Sequence, residues 1–243
     1  MKKLLSIALC AAAITSFADD PSVEIADLGV TVVTIPANQQ NTIIAASFND
    51  VATPANGVSI NNLIKTATGL AKDDQLMIIR NGSYQSWKWN GTAWEKPTTV
   101  GESSSALDPT TTVTQGEGIW FVRSTAEGEA ITLVLYGAYV SAASATVSAG
   151  TWALVGNPTT TNFSFDGKGA KGDQIIAVSS GSLKTYLRKS SQWKSTTDGV
   201  TFTVESPTVA PGVGIWYYSK SGTTIDWAGT TALTSKKADN QKN

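Results

Sequence analysis

The feature that most constrains this chain is a stretch that occurs twice. Residues 116–122 read Gly-Glu-Gly-Ile-Trp-Phe-Val, and residues 212–218 read Gly-Val-Gly-Ile-Trp-Tyr-Tyr. A Gly-x-Gly turn with glycines at positive φ, followed by Ile-Trp and more aromatic or β-branched residues, predicts a buried strand that starts at a tight turn. We therefore expect a tandem duplication. Its recurring structural residues are Gly116, Gly118, Trp120, Gly212, Gly214 and Trp216.

Other segments follow the same order in both copies. Residues 71–76 (Ala-Lys-Asp-Asp-Gln-Leu) match residues 170–175 (Ala-Lys-Gly-Asp-Gln-Ile), 99 positions later, and the spacing falls to 96 between the two tryptophans at positions 120 and 216. Length changes in loops with constant spacing in strands are expected of a structural repeat. Upstream, residues 42–46 align with residues 152–156. Further recurring positions are Asp74 with Asp173 and Trp94 with Trp193.

Period-two alternation and two Asn-Gly pairs predict strands and hairpins along most of the chain, residues 75–80 among them. One short helix is predicted over residues 59–66, which carry apolar side chains on one helical face and are followed by Gly69. The predicted fold is all-β. Two tandem homologous β-sandwich-like repeats, residues 19–140 and 141–232, are expected to pack as a pseudo-symmetric pair, with the short helix in the first.

The beginning of the chain predicts export. Residues 1–18 combine two lysines, an apolar run and the small-residue ending Ser-Phe-Ala, which are the three parts of a secretory signal peptide cleaved after Ala18. The apolar run is too short to span a bilayer. The single cysteine, Cys10, would leave with the leader, so no disulfides are expected. Residues 233–243 form a polar tail predicted to be disordered, and the protein is expected in the periplasm, at the cell surface or outside the cell.

The chemistry available to the chain is restricted. Histidine is absent, which removes the commonest general base and most transition-metal sites, and charged residues make up only 15%. The net charge of -1 shows no nucleic-acid footprint. We expect no catalytic residue, metal or cofactor.

Two pairs of acids leave a hydrolase open as an alternative, because a glycosidase needs two carboxylates that face each other. The pairs are Asp73 with Asp74 and Asp166 with Asp173. Their competing interpretation is as turn residues beside strands. Asp74 and Asp173 recur directly before a strand, where a carboxylate can accept hydrogen bonds from loop N–H groups.

The aromatic residues offer the one ligand-binding hypothesis. Trp87 and Trp89 share a strand face by the period of two, with Tyr84 nearby, and exposed Trp and Tyr rings in β-sandwich modules bind sugars by stacking. We therefore predict a ligand site at Tyr84, Trp87 and Trp89. The recurring tryptophans are predicted to lie in the core: Trp94, Trp120, Trp193 and Trp216.

Residues 150–158 read Gly-Thr-Trp-Ala-Leu-Val-Gly-Asn-Pro. This opening, with the two Gly-x-Gly-Ile-Trp stretches, resembles a module of secreted bacterial surface proteins that begins Gly-Trp-Asn-Leu-Val-Gly-x-Pro and closes Gly-x-Gly-Tyr-Trp. The first copy departs from it, since its opening has neither Trp nor Gly-x-Pro. The resemblance covers roughly residues 40–230 and implies a small β-sandwich in each repeat and a place outside the cytoplasm.

These observations lead to three functional expectations. The first is a secreted, non-enzymatic structural or adhesive surface module. The alternatives are a carbohydrate-binding module that uses exposed Trp and Tyr, and a glycan hydrolase that uses paired carboxylates. The expected partners are polysaccharide or other surface proteins, without nucleic acid or a membrane span.

Overall fold

A computed structural model defines the fold. It describes residues 28–37, 41–48, 58–60, 64, 67–80, 82–96, 111–125, 128–138, 143–179 and 182–227. Throughout these residues the protein is all-β, with its strands in several sheets. The predicted leader, residues 1–18, and the predicted tail, residues 233–243, lie outside the described residues.

The strands fall into two halves on either side of residues 139–142. The described strands of the first half are β1 (Leu28–Ile35), β2 (Asn41–Ala45), β3 (Val58–Ser59), β4 (Gln75–Arg80), β5 (Ser83–Trp89), β6 (Trp94–Glu95), β7 (Thr112–Val113), β8 (Gly118–Val122) and β9 (Ile131–Ala138). Those of the second half are β10 (Ser144–Val147), β11 (Thr151–Gly156), β12 (Phe163–Ser164), β13 (Gln174–Ser179), β14 (Ser182–Lys189), β15 (Gln192–Thr196), β16 (Thr203–Val204), β17 (Thr208–Val209), β18 (Gly214–Ser219) and β19 (Thr223–Asp226).

Each half contains one larger sheet and two two-stranded ribbons. The larger sheets have the orders β2-β8-β4-β5-β6 and β11-β18-β13-β14-β15-β16. The ribbons pair β1 with β9 and β3 with β7 in the first half, and β10 with β19 and β12 with β17 in the second. These pairings are antiparallel. The two orders correspond strand by strand, except that β16 has no counterpart among the described residues of the first half.

Each half has its own hydrophobic core, and a third cluster lies between them. The first core is built entirely from residues of the first half, including Leu76 and Phe121, and the second entirely from the second half, including Ile175 and Tyr217. The third cluster, which we call the interface cluster, has three buried members from both halves and five partly buried neighbours. These residues are Ile43, Leu154 and Trp216, with Ile79, Trp120, Trp152, Ile176 and Val178.

The predicted helix over residues 59–66 lies mostly outside the described residues. Ser59 ends β3, where it pairs with Thr112. Ile60 and Ile64 are both buried in the first core. Two apolar positions of the predicted helical face are therefore in the core, and the helix itself stays a prediction.

The strand register shifts the alignment of the two halves at β2 and β11. Ile43 pairs with Trp120, and Leu154 pairs with Trp216. With the two tryptophans taken as equivalent, Ile43 corresponds to Leu154, whereas the sequence alignment sets it against Ala153. A shift of one residue in the alignment matters because it moves every side chain of the strand to the opposite face of the sheet. The recurring tryptophan on the neighbouring strand sets the register, and no such marker exists within residues 42–46 of the sequence.

Candidate functional site

The two glycines of each Gly-x-Gly stretch have different roles. The first glycine has a positive φ in both halves, +94° at Gly116 and +71° at Gly212. Gly118 and Gly214 begin β8 and β18 and are not among the residues with positive φ. The prediction of a positive φ is therefore confirmed for the first glycine and wrong for the second.

The second glycine permits close approach of the two halves. A Cβ atom on Gly214 would lie 2.4 Å from the Cγ2 atom of Ile43 and 3.0 Å from the carbonyl oxygen of Ile44. On Gly118 it would lie 3.0 Å from the backbone of Leu154. Only a residue without a side chain fits such a backbone contact. The glycines that begin these strands therefore serve packing between the halves.

Backbone hydrogen bonds also join the halves. The amide of Ala45 donates to the carbonyl of Gly212 at 2.9 Å, and the amide of Gly156 donates to the carbonyl of Gly116 at 2.8 Å. Isolated antiparallel bridges link Ile44 with Val213 and Glu117 with Val155. Each half therefore uses its Gly-x-Gly turn to cover the edge of the other half's large sheet, at β2 and at β11.

Two of the recurring tryptophans meet at this interface. The rings of Trp120 and Trp216 are 5.1 Å apart between centroids and nearly perpendicular, at 80°. Both belong to the interface cluster, whereas the sequence placed them in the core of each half. Trp94 and Trp193 are buried in the separate cores, as predicted.

An arc of aromatic rings extends from Trp216. Tyr84 of the first half lies 5.5 Å from Trp216, and Trp152 lies 6.4 Å from it on another side. Trp152 in turn contacts Tyr218 at 5.4 Å. Tyr84 is 59% exposed, and Trp152 and Tyr218 are half-buried. We call these four residues the aromatic arc. Trp152 and Tyr218 are the members that sequence reasoning missed, although Trp152 lies within residues 150–158 and Tyr218 within the Gly-x-Gly-Ile-Trp stretch of residues 212–218.

The predicted ligand site at Tyr84, Trp87 and Trp89 does not form one surface. Trp87 is buried in the first core at 7% exposure. Trp89 is half-buried and packs on Trp94 at 5.5 Å. Alternation along β5 puts Tyr84 on the opposite face from both tryptophans. Of the three, Tyr84 alone belongs to the aromatic arc.

Two buried carboxylates hold the loops that precede β4 and β13. Asp74 accepts hydrogen bonds from the amides of Ala71 and Ser124, each at 2.8 Å. Asp173 accepts from the amides of Ala170 at 2.8 Å and Lys220 at 2.9 Å. Both aspartates are at most 1% exposed. They act as loop caps that tie the turn before one strand to the end of its neighbour in the sheet.

A hydroxyl group of a different residue type lies beside each buried carboxylate. The hydroxyl of Ser124 lies 2.8 Å from the carbonyl oxygen of Lys72 and 3.1 Å from Asp74, while Tyr217 donates its phenol to Asp173 at 2.7 Å. Burial, together with the hydrogen bond to Asp173 and the charge of that carboxylate, raises the pKa of Tyr217 far above the usual tyrosine range. The phenol therefore remains a protonated donor.

The other acids proposed for a hydrolase are also placed. Asp73 is exposed in a turn with φ of +70°, and Asp166 is exposed and accepts a hydrogen bond from Ser206 at 3.1 Å. Asp74 and Asp173, the other members of the two pairs, accept hydrogen bonds from backbone amides, and both residues are buried. Neither pair therefore presents two solvent-facing carboxylates. Within the described residues, no group of three or more His, Cys, Asp or Glu could hold a metal ion.

None of the described segments is a helix with the length and hydropathy needed to cross a membrane. Comparison with family models, with curated proteins and with solved structures finds no match at any of the three levels. The geometry of this chain and its sequence therefore carry the functional argument.

Proposed function

We propose that this chain is an exported, non-catalytic structural or adhesive surface protein, built from two copies of one β-sandwich-like module fixed as a pseudo-symmetric pair. The matched strand orders of the two halves support the duplication. The reciprocal bonds from Ala45 to Gly212 and from Gly156 to Gly116 support a local two-fold relation between the copies. The leader predicted over residues 1–18 and the resemblance to secreted surface modules support the location.

One observation carries this proposal: the residues that recur between the copies serve architecture. Gly118 and Gly214 permit contact between the halves, and Trp120 and Trp216 pack against each other there. The recurring Asp74 and Asp173, like Trp94 and Trp193, are buried within their own halves. A surface spacer or adhesin needs a rigid body, and an interface with backbone bonds and close packing supplies one.

The experiment that tests this proposal follows export and retention. The full chain is expressed in a bacterial host, and cytoplasm, periplasm, envelope and medium are separated. We expect a processed form that begins at Asp19, outside the cytoplasm, and that binds isolated cell envelopes in a sedimentation assay. Heat-unfolded protein is the control for nonspecific adsorption. An unprocessed protein in the cytoplasm contradicts the proposal. A processed protein that does not sediment with envelopes contradicts it as well.

The aromatic arc favours carbohydrate binding as a second candidate. Tyr84, Trp152 and Tyr218 each expose part of a ring beside the buried Trp216. Tyr84 and Trp152 are tilted by 53° and 80° against Trp216, and Trp152 is tilted by 49° against Tyr218. The exposed rings therefore do not form one flat platform, which suits a bent or helical glycan chain better than a flat one.

A tryptophan fluorescence titration with soluble polysaccharides tests this second candidate. Saturable quenching is expected to disappear in Tyr84→Ala and in Trp152→Ala. The matched control is Tyr136→Ala, which removes a ring of similar exposure, 48%, from β9. Quenching that survives in Tyr84→Ala and Trp152→Ala, or no response to any glycan, removes carbohydrate binding at the arc.

A further inference from the structure

The β1–β9 ribbon has one long edge at β1. β1 pairs with β9 over eight residues in an unbroken register, and in the described part of the chain no other strand pairs with β1. Its sequence, Leu-Gly-Val-Thr-Val-Val-Thr-Ile, has no charge and no proline. Val30 and Val32 are 50% and 59% exposed, and Thr34 is also exposed. Such an edge carries unpaired N–H and C=O groups that readily accept another strand.

The other edges of the larger sheets are covered or short. At β2 and β11 the Gly-x-Gly turn of the opposite half makes backbone bonds to the edge strand. At the outer ends, β6 and β16 are two residues long. The corresponding ribbon of the second half pairs over four residues only and carries Thr146, Thr224 and Asp226 on its outer face. The opposite edge of the ribbon, at β9, is bridged by Thr68 at Thr132. Among the edges of the described strands, the long neutral one without such a bridge is therefore that of β1.

We infer that β1 is an assembly edge whose partner is β1 of a second copy of this chain, in antiparallel register about a two-fold axis at Val32. This inference rests on the proposed structural role and specifies a second copy of the chain as the partner in assembly. The register places Val30 opposite Thr34, so that β-branched residues face each other across the new pair. The two ribbons become one four-stranded sheet of order β9-β1-β1-β9.

Three arguments favour a second copy of the chain as the partner of β1. The strand is uncharged, so like strands meet without repulsion. An antiparallel pair of identical strands closes under two-fold symmetry, the commonest symmetry of soluble oligomers. The molecule already uses antiparallel bridges to a strand edge where its halves meet, at Ile44–Val213 and Val155–Glu117.

The first test uses single cysteines in protein expressed from residue 19, which lacks Cys10, the one cysteine of the chain. Val32→Cys is expected to form an interchain disulfide on mild oxidation, because directly opposed residues of antiparallel strands have Cα separations within disulfide reach. The matched control is Val200→Cys, at an 81% exposed loop position. Mixed Val30→Cys and Thr34→Cys chains are expected to cross-link with each other in preference to themselves.

The second test measures association by sedimentation velocity over a concentration series. Val32→Lys is expected to weaken dimerisation at least about tenfold, since two lysines would face each other at the axis, while Val200→Lys leaves it unchanged. Amide hydrogen exchange of residues 28–35 should slow as concentration rises. A wild-type monomer at high concentration overturns the inference, as does a dimer that Val32→Cys fails to link and Val32→Lys fails to weaken. Neither result decides the proposed structural role, which the export and retention assay tests separately.

Discussion

The first half packs its core mainly with aliphatic side chains, whereas the second packs a cluster of aromatic rings around the same strand order. β3 pairs Val58 with Val113, while β12 places Phe163 opposite Val209. Phe163 contacts Phe165 at 5.1 Å and Trp227 at 4.6 Å. The difference shows that the composition of the core can change between the halves while the pairing order stays the same, since cores tolerate exchange when the volume is filled.

The connecting segments differ in step with the cores. Fifteen residues, 60–74, connect β3 to β4, and nine residues, 165–173, connect β12 to β13. The longer segment places Ile60 and Ile64 in the first core. The second half has no equivalent insertion there, and its shorter segment places Phe165 in the second core. The shorter connection is therefore accompanied by a core richer in aromatic rings.

The largest expected effect concerns the tryptophans at the interface. Trp216→Ala should cost about 4 kcal/mol of unfolding free energy, because Trp216 is buried and contacts three aromatic rings. Trp120→Ala should cost about half as much, since Trp120 is half-buried and its indole N–H is buried without a hydrogen-bond partner. Urea unfolding checks both. Equal losses would mean that the halves contribute symmetrically to the interface.

A smaller loss is expected where the halves touch through Gly156. A Cβ atom there would lie 2.5 Å from the Cα and Cβ atoms of Ala45, so Gly156→Ala should cost about 3 kcal/mol through overpacking. The double change Ala45→Gly with Gly156→Ala should recover only part of this, because it removes the contact with the Cβ atom of Ala45 and leaves the contact with its Cα atom. The control is Gly199→Ala, where no atom lies within 4 Å of the added Cβ and only the positive φ opposes the change. A double variant no more stable than Gly156→Ala would show that the Cβ atom of Ala45 contributes nothing to the overpacking.

The hydroxyl donors of the two carboxylates give a third, pH-dependent difference. Tyr217→Phe installs the residue type that Phe121 provides in β8, and should cost about 1–2 kcal/mol at neutral pH through loss of a charge-assisted hydrogen bond. Because the pKa of Tyr217 is raised in the folded state, its contribution is fully present below about pH 10 and is lost at higher pH. The alkaline fall in stability should therefore be shallower in Tyr217→Phe than in the wild type, measured by urea unfolding from pH 8 to 11. The same slope in both proteins would contradict this assignment.

The smallest effects concern two turn positions where one half uses glycine and the other does not. Asp73 has φ of +70° where Gly172 has +98°, and Ser190 has +53° where Gly91 has +108°. Asp73→Gly and Ser190→Gly should each change stability by at most about 1 kcal/mol, with relief of strain outweighing the entropy of glycine. Thermal unfolding measures both, and a decrease in melting temperature would show that the side chains contribute more than the backbone strain costs.

Local chemistry accounts for the parts of the fold that the sequence predicted well. The strand expected at residues 75–80 coincides with β4 (Gln75–Arg80). The Asn-Gly hairpin forms with Gly91 at positive φ and Asn90 accepting hydrogen bonds from the amides of Thr92 and Ala93. The capping roles of Asp74 and Asp173 also follow from their place before a strand. Each of these depends on residues close together in sequence or on the period of two.

The predicted ligand site shows where such reasoning fails. Trp87 and Trp89 do share a face of β5, as the period of two requires, but that face lies against the first core. Alternation identifies which residues point the same way without telling which way the core lies. Tyr84 joins Trp216 because the second half covers the other face of the sheet, a contact between residues 132 positions apart in the chain.

The sequence by itself determined the all-β class, the positions of many strands and turns, and the residues that recur, because these follow from backbone dihedrals and from alternation along a strand. The tertiary structure alone decided that Gly118, Gly214, Trp120 and Trp216 lie between the halves rather than within them. Packing decides this, since a residue's partner across two sheets depends on which faces meet, and no local rule specifies that choice.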